Sequence, residues 1–442
     1  MLSHADVASY PRPVDVAPKL AIPVELLIDI IVVCGALALG SKLLALVLTG
    51  GMENSPTVRL AFFGVYLLFL VLLLRQPERL VATLRFAPML VVTLAFPFLS
   101  TLWSVDPGET LERSVALLGS SLFGIYLALC LPLRRTVRLL AIAGTISAAL
   151  SVLAIVAAPG IGIAQSGPWA GTWIGVHAHK NGLGAMSLLG AFLTGYAAAD
   201  ARRAPWLRLF LLGGMLINVA LLFASHSLTS LLVFFAVAGL AVTTRMMQRA
   251  PGTTLVLLLT AVMAVAAIAV DVVTVDVLER LLERMGRNST LSSRLPLWEA
   301  VWPYAADRMW AGFGYEAFWS PERGWAKHFV ARLGFLPFYS HNGFLELMLA
   351  GGVLLVVLVS VLLVVAMVRG VIAALQWRGD TLATLPLVIV LGYLSRNITE
   401  ASFLERNNME WILFVAVYLF LACRVRVSFE PPGEPPSETR AA

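Results

Sequence analysis

Residues 175–190 read GVHAHKNGLGAMSLLG and crowd His177, His179, Lys180 and Asn181 at the mouth of an apolar run. Such a group fits three roles: a metal site, the charged rim where a membrane span begins, or part of an active site. For a metal, His177 and His179 are two residues apart, which puts them on one side of an extended segment but not on one face of a helix. No Cys or Asp accompanies them, so a third ligand is lacking and no metal is expected. A histidine can also take a proton from a hydroxyl, because its unperturbed pKa lies near neutrality. His341, in SHNG, is the best placed of the six histidines. It opens a long apolar run, and Asn342 beside it could orient the ring or the hydroxyl; alternatively, a helix N-terminus there could hold an anion. Glu400, in SRNITEASF, is an acidic residue at the edge of another apolar run, able to orient a histidine or to pair with an arginine.

The elements that must position these residues are membrane helices. Hydrophobic residues make up 59% of the 442 residues and charged residues only 13%, outside the range of ordinary soluble domains. A spanning helix needs about 20 mostly apolar residues, since every backbone polar group in the hydrocarbon must be paired internally. About twelve such runs can be read, near 23–49, 58–74, 86–103, 111–131, 137–158, 182–199, 207–224, 227–244, 253–272, 342–367, 383–396 and 409–423. The fold expected is therefore all-α and polytopic. Residues 1–22 read as a cytoplasmic tail with no cleavable signal peptide, 23–272 as spans one to nine, 273–341 as one large periplasmic loop with short helices, 342–424 as spans ten to twelve, and 425–442 as a disordered tail. Cys34, Cys130 and Cys423 fall in apolar runs, where a thiol behaves as a small hydrophobe and no disulfide is expected.

Arginine placement sets the orientation. With the N-terminus inside, the inner loops carry Arg75, Arg79 and Arg85, then Arg134, Arg135 and Arg138, then Arg202, Arg203 and Arg208, and later Arg245, Arg249, Arg369, Arg378, Arg424 and Arg426. The opposite short loops are nearly free of Lys and Arg, which is the positive-inside pattern with both termini cytoplasmic. The net charge of +6 is accounted for by these anchors and calls for no nucleic acid. Five polar features then share the outer face: AHKNG, SHSLTS at 225–230, the 273–341 segment, SHNG and SRNITE. Within the long segment, VDVLERLLERMG at 275–286 has the spacing of a surface helix, and Arg294 to Arg308 of a second one interrupted near Pro303. Its dense aromatics, Trp298 among them, read as an interfacial belt or as rings that stack on sugars.

GRNSTLSSRLPLW (286–298), GFGYEAFW (312–319), SHNGFLELMLAGG (340–352) and SRNITEASFLERNNMEW (395–411), with HKNGLG and SHSLTSLL before them, resemble the O-antigen ligase and exopolysaccharide polymerase superfamily, particularly its ExoQ-like branch. The resemblance implies a metal-independent glycosyltransferase without cofactor at the outer face of a bacterial inner membrane. It would take a glycan from undecaprenyl diphosphate and transfer it to an acceptor hydroxyl. The acceptor is another lipid-linked glycan in a polymerase and a lipid A core in a ligase.

On that reading negative charge gathers on a departing diphosphate, and arginine suits it because its planar fork binds phosphate oxygens bidentately. Arg294 is the first candidate, with Lys180 and Arg287 as supporting charges, and Asn181, Asn342, Glu400 and Trp298 as further substrate contacts. His341 is the expected proton acceptor. A flippase or other transporter is the competing class, but transporters place ionisable groups near the bilayer midplane, where this chain offers little beyond Asp29 and Glu346. The motif forms lean toward polymerase over ligase.

Overall fold

The computed structural model describes residues 24–52, 55–166, 169–247, 294–319, 324–333 and 337–424. The expected span at 253–272, the surface helix at 275–286, Arg287 and both tails lie outside them. Among the described residues the fold is all-helical, with one isolated bridge between Ile163 and Trp173. The helices are α1 Val24–Gly40, α2 Leu43–Thr49, α3 Pro56–Leu74, α4 Pro77–Arg85, α5 Pro88–Ser100, α6 Pro107–Cys130, α7 Leu133–Ala157 and α8 Pro159–Gly162. They continue as α9 Lys180–Asp200, α10 Pro205–Ala224, α11 Leu228–Met247, α12 Arg294–Asp307, α13 Gly324–Leu333, α14 Gly343–Gln376, α15 Leu385–Thr399 and α16 Met409–Arg424.

Many starts are written in proline, whose missing N–H costs nothing in a first turn. Ser55 and Asp106 add caps by accepting from Val58 N and Glu109 N. Pro88 also explains a bend: the residue before a proline is driven out of the helical region, and α4 and α5 meet there at 97°.

Among the described residues seven helices are long and apolar enough to cross a membrane, namely α3, α6, α7, α9, α10, α11 and α14, or up to nine if α1–α2 (bent by 84°) and α4–α5 each form one span. The expected number of about twelve is therefore not reached among the described residues. The runs at 383–396 and 409–423 become α15 and α16, of 15 and 16 residues. At 1.5 Å per residue both are shorter than the roughly 30 Å hydrocarbon core. α16 is buried from Met409 through Ala422, so neighbouring helices rather than lipid enclose it. Gly124 of α6 lies so close to it that a Cβ would stand 2.5 Å from the Ile412 carbonyl.

α14 is broken inside. Gly352 has φ +63° and ψ −162°, and the chain at 309–314 fills the gap: Val353 N donates to Met309 O at 2.7 Å, Phe313 N to Leu349 O at 2.7 Å and Gly314 N to Ala350 O at 3.2 Å. This docks α12, α13 and the turn between them onto α14. Leu297, Val301, Phe313, Phe318, Phe329 and Leu349 form their shared core, with Trp298, Tyr304, Trp319 and Trp325 packed against it. Most rings expected as a belt or as sugar platforms thus hold this layer together; Trp302 and Trp310 stay exposed. The interruption expected near Pro303 is absent, because Pro303 sits on the exposed side of α12, where a small bend can relieve the lost hydrogen bond.

At the opposite, arginine-rich end, Arg134 pairs with Asp200 and Asp380, and Arg135 with Asp29 at 2.8 Å. Asp29, one of two apparent mid-span charges, is thereby a structural partner.

Gly352→Ala should lower the thermal unfolding midpoint in lipid nanodiscs, with a cost of about 1–3 kcal/mol from backbone strain alone. A Cβ there would also stand 2.3 Å from the Trp310 carbonyl carbon. An unchanged midpoint would show that the break is not what docks the 309–319 segment.

Candidate active site

A cavity of about 550 Å³ opens at the bundle end opposite the arginine-rich one, lined in part by the AHKNG stretch and by the chain that follows SRNITE. Its wall comes from the α1–α2 break (Ser41, Lys42), the start of α9 (His177, His179, Asn181), the docked turn (Tyr315, Glu316, Trp319), the start of α14 with Glu346, and the 401–408 loop. Arg113 of α6, Arg396 of α15 and Glu410 of α16 complete it.

At its edge stands a relay of three side chains from three elements. His341 Nδ1 is 3.3 Å from Glu400 Oε2, and Asn181 Nδ2 donates to Glu400 Oε1 at 2.8 Å. Glu400 is buried. It is thus a carboxylate held between an imidazole and an amide, not a solvated loop charge. His341 is presented from behind by a chain of bonds. Asn342 caps α14, its Oδ1 accepting from Phe344 N and Leu345 N at 3.0 Å. Trp298 Nε1 donates to Ser340 O at 2.8 Å, while Glu346 accepts from Ser340 N at 2.9 Å and Trp319 Nε1 at 2.7 Å. Trp298 and Asn342, expected to touch substrate, both serve the backbone that carries His341.

The SRNITE stretch is a junction. Arg396 donates to Ser230 Oγ of the SHSLTS stretch at 3.1 Å, and its Nε lies 2.6 Å from Glu410 Oε1. That contact is an ion pair by distance without an aligned hydrogen bond, since Arg396 Nε and Glu410 Oε2 both lack a hydrogen-bond partner. Asn397 Oδ1 accepts from Ser402 N at 2.8 Å and Phe403 N at 2.7 Å, fixing the loop beyond Glu400.

Backbone strain concentrates here. Among the described residues, five other than glycine have positive φ, and four of them, Glu316, His341, Leu404 and Asn407, lie at this site. Non-glycine residues persist in that region only where surroundings over-determine them. Two tyrosines do so for the 404–407 turn: Tyr315 Oη donates to Leu404 O, and Tyr66 Oη to Asn407 Oδ1 at 2.6 Å. The turn projects Glu405 and Arg406 into the cavity.

Burial shapes the protonation states. It pulls His177 down to about 4, so this histidine is neutral, and it lowers His179 as well, against the opposing pull of Glu400. Glu405 is pushed up to about 8 by loss of solvent first, then by Glu316 and Glu410. Its side chain meets the open cavity lumen and is itself exposed there. Arg406 is held above the usual guanidinium range, chiefly by Glu316.

The structure thus gathers His341, Asn342, Asn181, Glu400 and Trp298. Lys180 is the first residue of α9, with Nζ 3.9 Å from the Trp169 ring centroid. Arg294 is the first residue of α12, and its side chain lies outside the described residues. Sequence reasoning passed over Arg113, Glu316, Arg396, Glu405, Arg406 and Glu410; for the 404–411 stretch the signal was present in LERNNMEW, three charges at the edge of an apolar run. Among the described residues no group of three His, Cys, Asp or Glu could hold a metal.

The class defined by this helical bundle and one-ended polar cavity is an integral membrane protein with its chemistry at one surface. Residues 213–360 match the family model of the O-antigen ligase. The match covers about a third of the chain and supports a likeness to the O-antigen ligase and polymerase superfamily. The matched stretch holds Ser230, Glu316 and His341, which Arg396, Arg406 and Glu400 meet from outside it; Arg294 also falls within the stretch. No curated protein matches the chain.

Arg396→Met should cost about 3–5 kcal/mol by leaving Glu410 buried without its cation, and adding Glu410→Leu should recover much of the loss. Thermal unfolding of the two variants decides this, and equal destabilisation in both would refute the pairing. For His177, the folded pKa of about 4 lies below the unfolded value of 6.5, so its stability contribution is complete above pH 6.5 and is lost as pH falls toward 4. The unfolding midpoint should drop over that window in the parent protein and drop less in His177→Gln.

Proposed function

We propose that the protein transfers a glycan from undecaprenyl diphosphate to an acceptor hydroxyl at the periplasmic face of a bacterial inner membrane. Of the superfamily's activities we assign it the exopolysaccharide or O-antigen type of polymerisation, as in the ExoQ-like branch, with another lipid-linked glycan as acceptor. The observation that carries the reading is the His341–Glu400–Asn181 relay at the edge of a cavity walled with arginine.

In this scheme the acceptor oxygen attacks the anomeric carbon while His341 takes the hydroxyl proton. Glu400 orients the ring and offsets the charge it gains, the logic of a carboxylate behind a catalytic histidine. The bond from the anomeric carbon to the diphosphate breaks, and its electron pair leaves with the diphosphate. Cations stabilise that charge: Arg294, Lys180 and Arg287 from the sequence motifs, and Arg113, Arg396 and Arg406 from the cavity wall. A single displacement on an α-linked donor gives a β-linked product. No metal or cofactor is invoked. Arginines at the other end of the helices support cytoplasmic termini by the positive-inside rule.

The matching family model, described as an O-antigen ligase, favours a second reading in which the acceptor is a lipid A core.

Purified protein in lipid, given a lipid-linked repeat unit and either a second unit or a lipid A core, separates these by mass spectrometry. Chain growth is expected, a single transfer to the core would establish the ligase, and movement across the bilayer without a new bond would replace both with a transporter. His341→Ala and Arg294→Ala should each abolish product in a folded protein. His341→Ala should cost about 10²–10⁴-fold in rate, the usual worth of a positioned base; normal activity in both variants would overturn the assignment.

A further inference from the structure

One carboxylate on the cavity wall is shared by two guanidiniums. Glu316 Oε2 stands 3.2 Å from Arg113 NH1, of α6, and 3.2 Å from Arg406 Nε, of the 404–407 turn. Arg113 NH1 also donates to the Glu316 carbonyl at 2.7 Å, and Tyr315 Oη lies 3.1 Å from Glu316 Oε1. The backbone beneath is strained, with φ +53° at Glu316 and +54° at Leu404 and Asn407. This strain is imposed from several sides: by docking of 309–314 onto the broken α14, and by the Tyr315 and Tyr66 hydroxyls on the turn.

Such an arrangement does more than neutralise charge. Neither terminal nitrogen of Arg406 has a hydrogen bond among the described residues, although the side chain lines the cavity. Arg113 Nε is buried with no hydrogen-bond partner. NH1 of Arg113 and Nε of Arg406 sit at the same distance from one oxygen, which keeps the two guanidiniums side by side; Arg113 is held from its other side by an ion pair of NH2 with Glu109, while both terminal nitrogens of Arg406 are left over. A bare pair of guanidiniums would repel; the shared carboxylate between them removes that repulsion and fixes their spacing.

Resting on the transferase reading, we infer that Glu316 is a positioning residue that sets Arg113 and Arg406 at the spacing of a diphosphate, the two phosphoryl groups of the donor meeting one guanidinium each. Glu316 itself carries a negative charge and touches no substrate; it acts through the arginines. Its removal therefore separates position from charge. Glu316→Gln makes the wall more positive, which favours any anion, but leaves the forks unregistered, which disfavours the anion that needs both.

The experiment uses the full chain in nanodiscs and two probes, inorganic pyrophosphate and inorganic phosphate, with binding read by calorimetry. The parent protein should prefer pyrophosphate at least tenfold. In Glu316→Gln the preference should vanish while phosphate binds at least as tightly as before, and Glu316→Asp should restore part of it. Arg406→Gln should weaken pyrophosphate at least tenfold. A merely structural role predicts instead that both anions weaken together with the unfolding midpoint, which would overturn the proposal, as would an intact preference in Glu316→Gln or binding of neither anion by the parent protein. With a lipid-linked donor, Glu316→Gln should lower kcat/KM at least tenfold, with a rise in KM for the donor. Absence of any transfer by the parent protein would sink the transferase reading alone, because the pyrophosphate preference is read without turnover.

Discussion

A helix that breaks away from water must find partners for the groups it exposes, and the break in α14 at Gly352 organises the cavity around that requirement. The carbonyls of Leu349 and Ala350 accept from Phe313 and Gly314, so the chain that follows, Tyr315 and Glu316, is delivered to one wall. From there Tyr315 reaches Leu404 and Glu316 reaches Arg406, coupling the docked layer to the loop between α15 and α16. The N-terminal part of the same helix carries His341, Asn342 and Glu346. A single interrupted helix therefore places both the imidazole and the two-guanidinium wall.

The strained residues follow from the same constraint. Four side chains that face the site are carried on, or next to, backbone that an L-residue rarely adopts, and each is held by bonds from a different element. Strain of this kind costs about 1–3 kcal/mol per residue and persists because packing over-determines it. A relaxed loop would hold these groups more cheaply but would let them move. Distances between His341, Glu400 and Asn181 are short only because α14, α15 and α9 are fixed against one another.

What the sequence disclosed and what it hid divide along physical lines. Apolar runs and proline starts announced the helices, since both act locally; the short α15 and α16 were read as full spans because hydropathy cannot tell burial in protein from burial in lipid. His341, Glu400 and Asn181 were legible as polar exceptions in apolar surroundings. Their contact with each other was not, because it joins positions 219 and 59 residues apart through tertiary packing. The bond from Trp298 to Ser340 was not legible, because an indole that serves as a hydrogen-bond donor to a backbone carbonyl has the same sequence signature as one that stacks on substrate. Arg396, Arg406 and Glu316 escaped since charges at a span edge usually snorkel to water, and only the fold turns these inward.

Charge balance gives the cavity its character. Lys42, Arg113, Arg396 and Arg406 line it against Glu316, Glu346, Glu405 and Glu410. Equal numbers would make it neutral, yet the carboxyl of Glu405 holds its proton up to about pH 8, so near neutrality the cations are not fully offset. Glu405 and Glu346 both have no cation at ion-pair distance among the described residues: Glu405 accepts from Asn408, and Glu346 from Ser340 N and Trp319 Nε1. A surplus of positive charge in a partly enclosed lumen attracts an anion more strongly than the same surplus on a flat solvated surface, because screening is weaker there. Paired carboxylates keep the empty cavity from accumulating the repulsion of four bare cations, and the protonated one leaves room for the negative charge that a phosphorylated ligand brings.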